Sequence, residues 1–149
     1  MANYSFITYR LAIGAALTCA EDVAVLRGVG INAVIDLRAE FDDGPLFAGS
    51  AIQYCWNPAQ DDGVRKSVEW FKKSLDFAMP LLAMPGNKIL CHCEGGMNRG
   101  PSTAYAILRA LGFSPLQAHS WIVVARPQTI GGLRYVGDAD LAVKELGYC

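Results

Sequence analysis

Residues 88–102 bring a thiol, two adjacent glycines and an arginine into one short stretch, Lys88-Ile-Leu-Cys-His-Cys-Glu-Gly-Gly-Met-Asn-Arg-Gly-Pro-Ser102. An apolar run ends at His92, a glycine-containing loop follows, and a helix is expected to start near Gly100. Backbone amides of such a loop converge on a tetrahedral anion, and the helix start adds partial positive charge from the same side. Gly95 and Gly96 permit the backbone angles this needs. Cys93, at the start of the loop, would be stabilised as a thiolate by those amides and by Arg99. Arg99 stands six positions after Cys93, where its planar fork can hold two oxygens of a phosphate. The candidate phosphate-binding residues are therefore Glu94, Gly95, Gly96, Met97, Asn98 and Arg99, with Cys93 as nucleophile. Against this stand two plainer readings, a buried cysteine that only fills space and sulfur transfer from a loop thiol.

The flanking sequence supplies the elements that must hold this loop. The stretch 9–17 reads as an opening strand and 19–27 as a short helix, with Thr18 and Glu21 as a capping box and Gly28 or Gly30 as its end. Ile31–Arg38 is a β-branched apolar run suited to a strand buried on both faces. A loop over 38–50, rich in Asp, Gly and Pro, leads to a strand at 51–56 and a second loop at 57–63. Val68, Phe71, Leu75 and Leu82 keep helical spacing within 64–84, where Pro80 should kink or divide the helix. Lys88–His92 returns to strand. Pro101 opens and Gly112 closes the next helix. Ser114, Pro115 and Gln117 form a capping box for a helix that must stop near Arg126 because Pro127 follows. A last helix spans roughly 135–146. The class is α/β: a central, mostly parallel sheet of four to five strands flanked by helices, in a single domain over 1–149.

Composition narrows the partners. The chain has 149 residues, 52% of them hydrophobic, with 13 basic against 14 acidic side chains, so it can bury a core but carries no global field for nucleic acid or an anionic membrane. Five cysteines, an odd number, read as reduced thiols in a cytosolic setting rather than a disulfide scaffold. No apolar run reaches the roughly 20 residues of a membrane span. The segment Leu11–Ala20 is read as folded structure rather than a signal peptide, since one arginine alone precedes it closely. Cys91, His92 and Cys93 are consecutive and lack zinc-ligand spacing, so a cysteine-rich metal site is not expected; no cofactor is expected either.

His92-Cys93-x5-Arg99 resembles the signature of the cysteine-dependent protein tyrosine phosphatase superfamily, and Gly96 matches the HCxxGxxR form of its dual-specificity branch. The resemblance extends along the chain. Tyr9–Gly14 is similar to the family's opening strand, Gly28–Arg38 to its second strand, and Ala125-Arg126-Pro127 to a motif of its late helices. It implies metal-independent hydrolysis of phosphomonoesters through a phosphocysteine, with phosphotyrosine, and phosphoserine or phosphothreonine on proteins, as substrates for a monomeric enzyme. It also implies an aspartic general acid about thirty residues before the cysteine. Asp61 and Asp62 stand 32 and 31 positions before Cys93; Asp61 is preferred, because Phe71 then also falls in register with the family's helix.

His92 is expected to orient Cys93 by bonding loop carbonyls rather than to act as a base. Asp42 and Asp43 are explained by a solvated loop. Gly100 departs from the family, which usually places a hydroxyl there; Ser102 or Thr103 could substitute. Asn98 is shared with RNA 5′-triphosphatases of the superfamily, which makes an RNA 5′-triphosphate the enzymatic alternative. Gly100 keeps open a phosphate-binding module without turnover. The absence of Lys from Glu94–Asn98 disfavours phosphoinositides. Cys91, two positions before Cys93 on the same face of its strand, or Cys55, on a strand expected to neighbour it, could resolve an oxidised Cys93, although plain core packing is the favoured reading of both.

Overall fold

The computed structural model describes residues 2–129 and 135–148, so Cys149 lies outside it. Five strands, β1 (Tyr4–Thr8), β2 (Leu11–Gly14), β3 (Ala33–Arg38), β4 (Gln53–Ala59) and β5 (Ile89–His92), form one sheet in the order β1-β2-β5-β3-β4. All neighbours run parallel except β1, which is antiparallel to β2. The three inner strands are buried along their whole length, as their continuous apolar runs require when helices cover both faces. One face packs on α1 (Ala20–Gly28) and the short α2 (Gly44–Phe47), through Leu17, Val23, Leu26, Val34 and Leu90. The other carries α3 (Val68–Leu82), α4 (Arg99–Ala110), α5 (Pro115–Ala125) and α6 (Ala139–Glu145), around Leu11, Ile35, Phe71, Leu75 and Ile107.

Several boundaries differ from the sequence reading for local physical reasons. The first strand is Tyr4–Thr8, with Tyr9 and Arg10 in the turn that follows it. At α1 the cap is reversed: Cys19 is the N-cap without a side-chain bond, and the Thr18 amide and hydroxyl both donate to Asp22 rather than pairing with Glu21. The hydroxyl of Ser67 accepts from the Trp70 amide and starts α3 there, later than Val64. Pro80 does not divide that helix; it lies in the last turn, which ends at Leu82. Helix α4 starts at Arg99, two residues before Pro101. The capping box of Ser114 and Gln117 forms with both bonds present. The last helix is shorter than its apolar pattern suggests, at Ala139–Glu145.

Candidate functional site

Parallel β2, β3 and β5 end at Gly14, Arg38 and His92, and the crevice at the carboxyl ends of such strands is where open α/β sheets place ligands. Cys93 follows β5 directly, and its amide donates to the Gly14 carbonyl at 3.2 Å. The loop then turns through Gly96, whose φ is +67° and whose added Cβ would lie 2.8 Å from the Gly14 backbone, so both conformation and space demand glycine. Helix α4 begins next and aims its first amides at the sulfur: the Gly100 N–H donates to Cys93 Sγ at 3.4 Å. A Cβ on Gly100 would stand 3.1 Å from the Cys91 carbonyl oxygen. The site thus places a nearly buried thiol, 2% exposed, at the positive end of a 12-residue helix.

Arg99 is fully buried, and its fork is gripped from outside the loop. Nη1 and Nη2 donate to the two carboxylate oxygens of Glu40 at 2.6 and 2.9 Å, and Nη1 also to the Ala59 carbonyl at 2.7 Å. The edge formed by Nε and the second Nη2 hydrogen is not used by Glu40, and Nε has no partner among the described residues. That edge is the one suited to two oxygens of an anion. Burial pulls the Arg99 pKa down, but Glu40 and the Cys93 charge outweigh it and raise it above the usual value. The hydrogen bond from Arg99 in turn holds the Glu40 carboxyl down to about 2. A second buried guanidinium, Arg126, donates from Nε to the Gly96 carbonyl at 2.7 Å and from Nη2 to Gly95 at 3.4 Å. The Gly95 and Gly96 carbonyls are thereby directed at Arg126, an orientation in which the loop amides could receive an anion. Burial lowers the Arg126 pKa, partly offset by the Cys93 charge.

Asp61 and Asp62 point to different partners. Asp61 Oδ1 accepts from the Tyr135 hydroxyl at 2.8 Å and from Asn98 Nδ2 at 3.3 Å, which brings it to the rim of the phosphate loop. Tyr135 Oη also accepts from the Gly63 amide at 2.7 Å, pinning the loop that carries Asp61. Asp62 Oδ1 accepts from Lys66 Nζ and from the Val64 amide, both at 2.9 Å; these bonds, Lys66 first, lower its pKa. Only Asp61 of the two is joined to the loop.

His92 is buried but does not bond the loop carbonyls. Its Nε2 lies 3.1 Å from Asp43 Oδ2 and 3.5 Å from Asp36 Oδ1. Asp43 is fully buried rather than solvated, and its other oxygen accepts from Arg38 Nη2 at 2.7 Å, while Arg38 Nη1 donates to Glu94 at 3.0 Å. Asp42 is exposed, as expected, and accepts from the Tyr54 hydroxyl. Burial raises the Asp36 pKa against the opposing charge of His92. Ligand atoms of Asp36, Asp43 and His92 lie within 4.8 Å of one another, a spacing open to a cation. Arg38 already occupies one Asp43 oxygen, however, and the Arg38 and Asp43 amides donate to Asp36, so the cluster reads as an ion-pair network under the loop.

The residues missed by the sequence reading are Glu40, Asp36, Arg38, Arg126 and Tyr135. One signal was available: an aspartate inside the apolar run Val34-Ile35-Asp36-Leu37 must be buried, and therefore partnered. Cys55 lies on β4, which β3 separates from β5, so it is not on the strand next to the one that leads to Cys93, where it was expected; Cys91 lies on β5, two positions before Cys93. Burial pushes the Cys55 and Cys91 thiols upward.

No protein-family model and no curated protein sequence matches the chain. Its fold is that of the cysteine-dependent protein tyrosine and dual-specificity phosphatases. The structure of PTPMT1 in complex with PI(5)P superposes with a TM-score of 0.81 at 17% identity, covering 96% of each chain. Human DUSP28 gives 0.77 at 16% identity over 96% of this chain and 94% of its own. Tk-PTP in the active form gives 0.74 at 21% identity over 97% and 95%.

Proposed function

We propose that the chain is a cysteine-dependent phosphomonoester hydrolase acting on phosphotyrosine, and on phosphoserine or phosphothreonine in proteins. The observation that carries this is the Cys93 sulfur at the amino end of α4, beside the unused guanidinium edge of Arg99. The amides of 94–99 and Arg99 hold the non-bridging oxygens; the Cys93 thiolate attacks phosphorus, the S–P bond forms and the P–O bond to the leaving group breaks. Asp61 donates the proton to that leaving oxygen. Water then attacks the phosphocysteine, Asp61 takes a proton from it, and the S–P bond breaks to release phosphate and the thiolate. The four described cysteines are all unpaired, which supports a reducing, cytosolic setting. No helix among the described residues is long and apolar enough to cross a membrane.

The test is hydrolysis of p-nitrophenyl phosphate, phosphopeptides and an RNA 5′-triphosphate by the wild type and Cys93→Ser. The serine variant is expected to lose more than about 10⁴-fold in turnover yet still bind vanadate, and chelators should have no effect. Near-normal turnover by Cys93→Ser refutes the mechanism, and preference for the RNA substrate replaces the substrate class.

Gly100 favours a second reading, a phosphate-binding module that turns over poorly. Ser102 Oγ donates to the Asn98 carbonyl and Thr103 Oγ1 has no partner, so neither hydroxyl bonds the Cys93 sulfur among the described residues. On that reading a burst of one product equivalent per enzyme precedes a slow steady state.

A further inference from the structure

Beside the phosphate loop lies a cavity of about 680 Å³ between the segment after β2 and the segment 40–46 after β3. Its walls are Leu17, Phe41, Pro45 and Leu46, and its rim meets the candidate active site at two points, Glu94 and Glu40. Glu94 is the residue after Cys93, and Glu40 is the carboxylate that grips Arg99. A group lodged here would therefore neighbour a phosphate held in the loop. Phe41 is 61% exposed, with the Arg38 guanidinium 5.5 Å from its ring centroid. A large aromatic left in water beside a concave apolar wall is costly to solvation and useful to a ligand.

We propose, resting on the phosphatase reading above, that this cavity is a specificity subsite for a bulky apolar side chain next to the phosphorylated residue of a peptide, accompanied by a basic residue. The chemistry of the rim selects a peptide over a lipid headgroup. The Glu40 and Glu94 side chains are 45% and 55% exposed on the rim, whereas the guanidiniums they pair with, Arg99 and Arg38, are buried, and with Asp43 three carboxylates stand against these two guanidiniums. That excess negative charge repels additional phosphates and an anionic bilayer and attracts a lysine or arginine. The volume lies within the range of small-molecule pockets and exceeds what one leucine or phenylalanine fills, leaving room for the adjoining backbone.

The experiment uses the intact protein and phosphotyrosyl peptides with Leu, Ala or Glu beside the phosphotyrosine on either side, each with or without an adjacent Lys. Binding to Cys93→Ser is the first readout, since it does not depend on turnover; kcat/KM of the otherwise wild-type enzyme on the peptides and on p-nitrophenyl phosphate is the second. One of the Leu–Lys peptides is expected to bind at least about 10-fold more tightly than its Ala counterpart, as burial of a few methylenes gives. Phe41→Ala and Leu46→Asp should each abolish that preference while leaving kcat/KM for p-nitrophenyl phosphate within about twofold. Equal binding of the Leu and Ala peptides, or a preference unchanged in both variants, overturns the subsite. So does faster hydrolysis of vesicles carrying phosphatidylinositol 5-phosphate that is lost in Leu46→Asp, which assigns the cavity to a lipid. If p-nitrophenyl phosphate and all peptides resist hydrolysis, the phosphatase reading fails, and the binding preference alone decides the subsite.

Discussion

The loop Cys93–Arg99 and the segment Arg38–Asp43 meet at the carboxyl edge of the sheet and are built in opposite ways. The loop gathers its positive polarity from backbone amides and one guanidinium contiguous in sequence, so its chemistry is local. The segment 38–43 supplies discrete side-chain charges to groups far away in sequence: Glu40 reaches Arg99 across 59 residues, and Asp43 faces His92. An anion site must be positive when its ligand arrives and still tolerate burial when it does not. The division of labour meets both needs, because the carboxylates neutralise Arg99 and the buried network without entering the loop.

The largest effect separates Asp61 from Asp62, of which only Asp61 is joined to this arrangement. Asp61→Asn should slow a phenyl or alkyl phosphate by about 10²- to 10⁴-fold and barely affect a leaving group of low pKa. Asp62→Asn should show no such dependence, since its carboxylate holds Lys66 and the Val64 amide. Log rate plotted against leaving-group pKa distinguishes them, and a slope that steepens for Asp62→Asn alone reverses the assignment.

A pair of substitutions then sets loop against counter-ion. Asp43→Asn strips a buried charge from Arg38 and His92 and should cost about 3 to 5 kcal/mol of stability, a fall in Tm on the order of 10 °C. Thermal unfolding measures it, and an unchanged Tm would show that the network is not held by its charge. Arg99→Lys replaces a fork with a point charge and should cost about 2 to 4 kcal/mol of transition-state stabilisation, read as kcat/KM below the melting range. A lysine variant within tenfold of wild type removes Arg99 from the proposed role.

The same contrast explains what was legible in the sequence. Strand, glycines, arginine and helix start in 88–102 lie in chain order, and their local geometry follows from residue type, so the shape of the loop could be anticipated. The class and the buried inner strands were equally readable, because continuous apolar runs such as Ile31–Arg38 admit few other placements. The segment 38–43 was not. Its residues are those of a solvated turn, and what buries Asp43 is the approach of Arg38 and His92, a tertiary fact with no local signature. The first strand, Tyr4–Thr8, escaped for a related reason: it is half-buried at the sheet edge, so its pattern lacks the continuous run that marks the inner strands. The placement expected for Cys55, on the strand beside the one that leads to Cys93, fails on strand order, which periodicity does not encode.

The smallest effect is a matter of sign. The Arg99 hydrogen bond holds the Glu40 carboxyl at about 2, against an ordinary 4.5. A carboxyl with a depressed pKa in the folded protein contributes stability that is complete above its unfolded value and disappears as pH falls through the folded one. The pair should therefore stabilise fully above about pH 5 and progressively lose its contribution between there and pH 2. Glu40→Gln keeps an oxygen for one Arg99 hydrogen bond but not the charge. Because the Glu40 side chain is 45% exposed, water screens the pair, and the Tm gap between wild type and variant near pH 7 should be about 1 to 3 °C. Unfolding measured from pH 7 down to pH 2 should show that gap flat at first and then closing. A gap that widens toward low pH would mean that Glu40 is stabilised as the neutral acid, and that Arg99 is balanced by a different group.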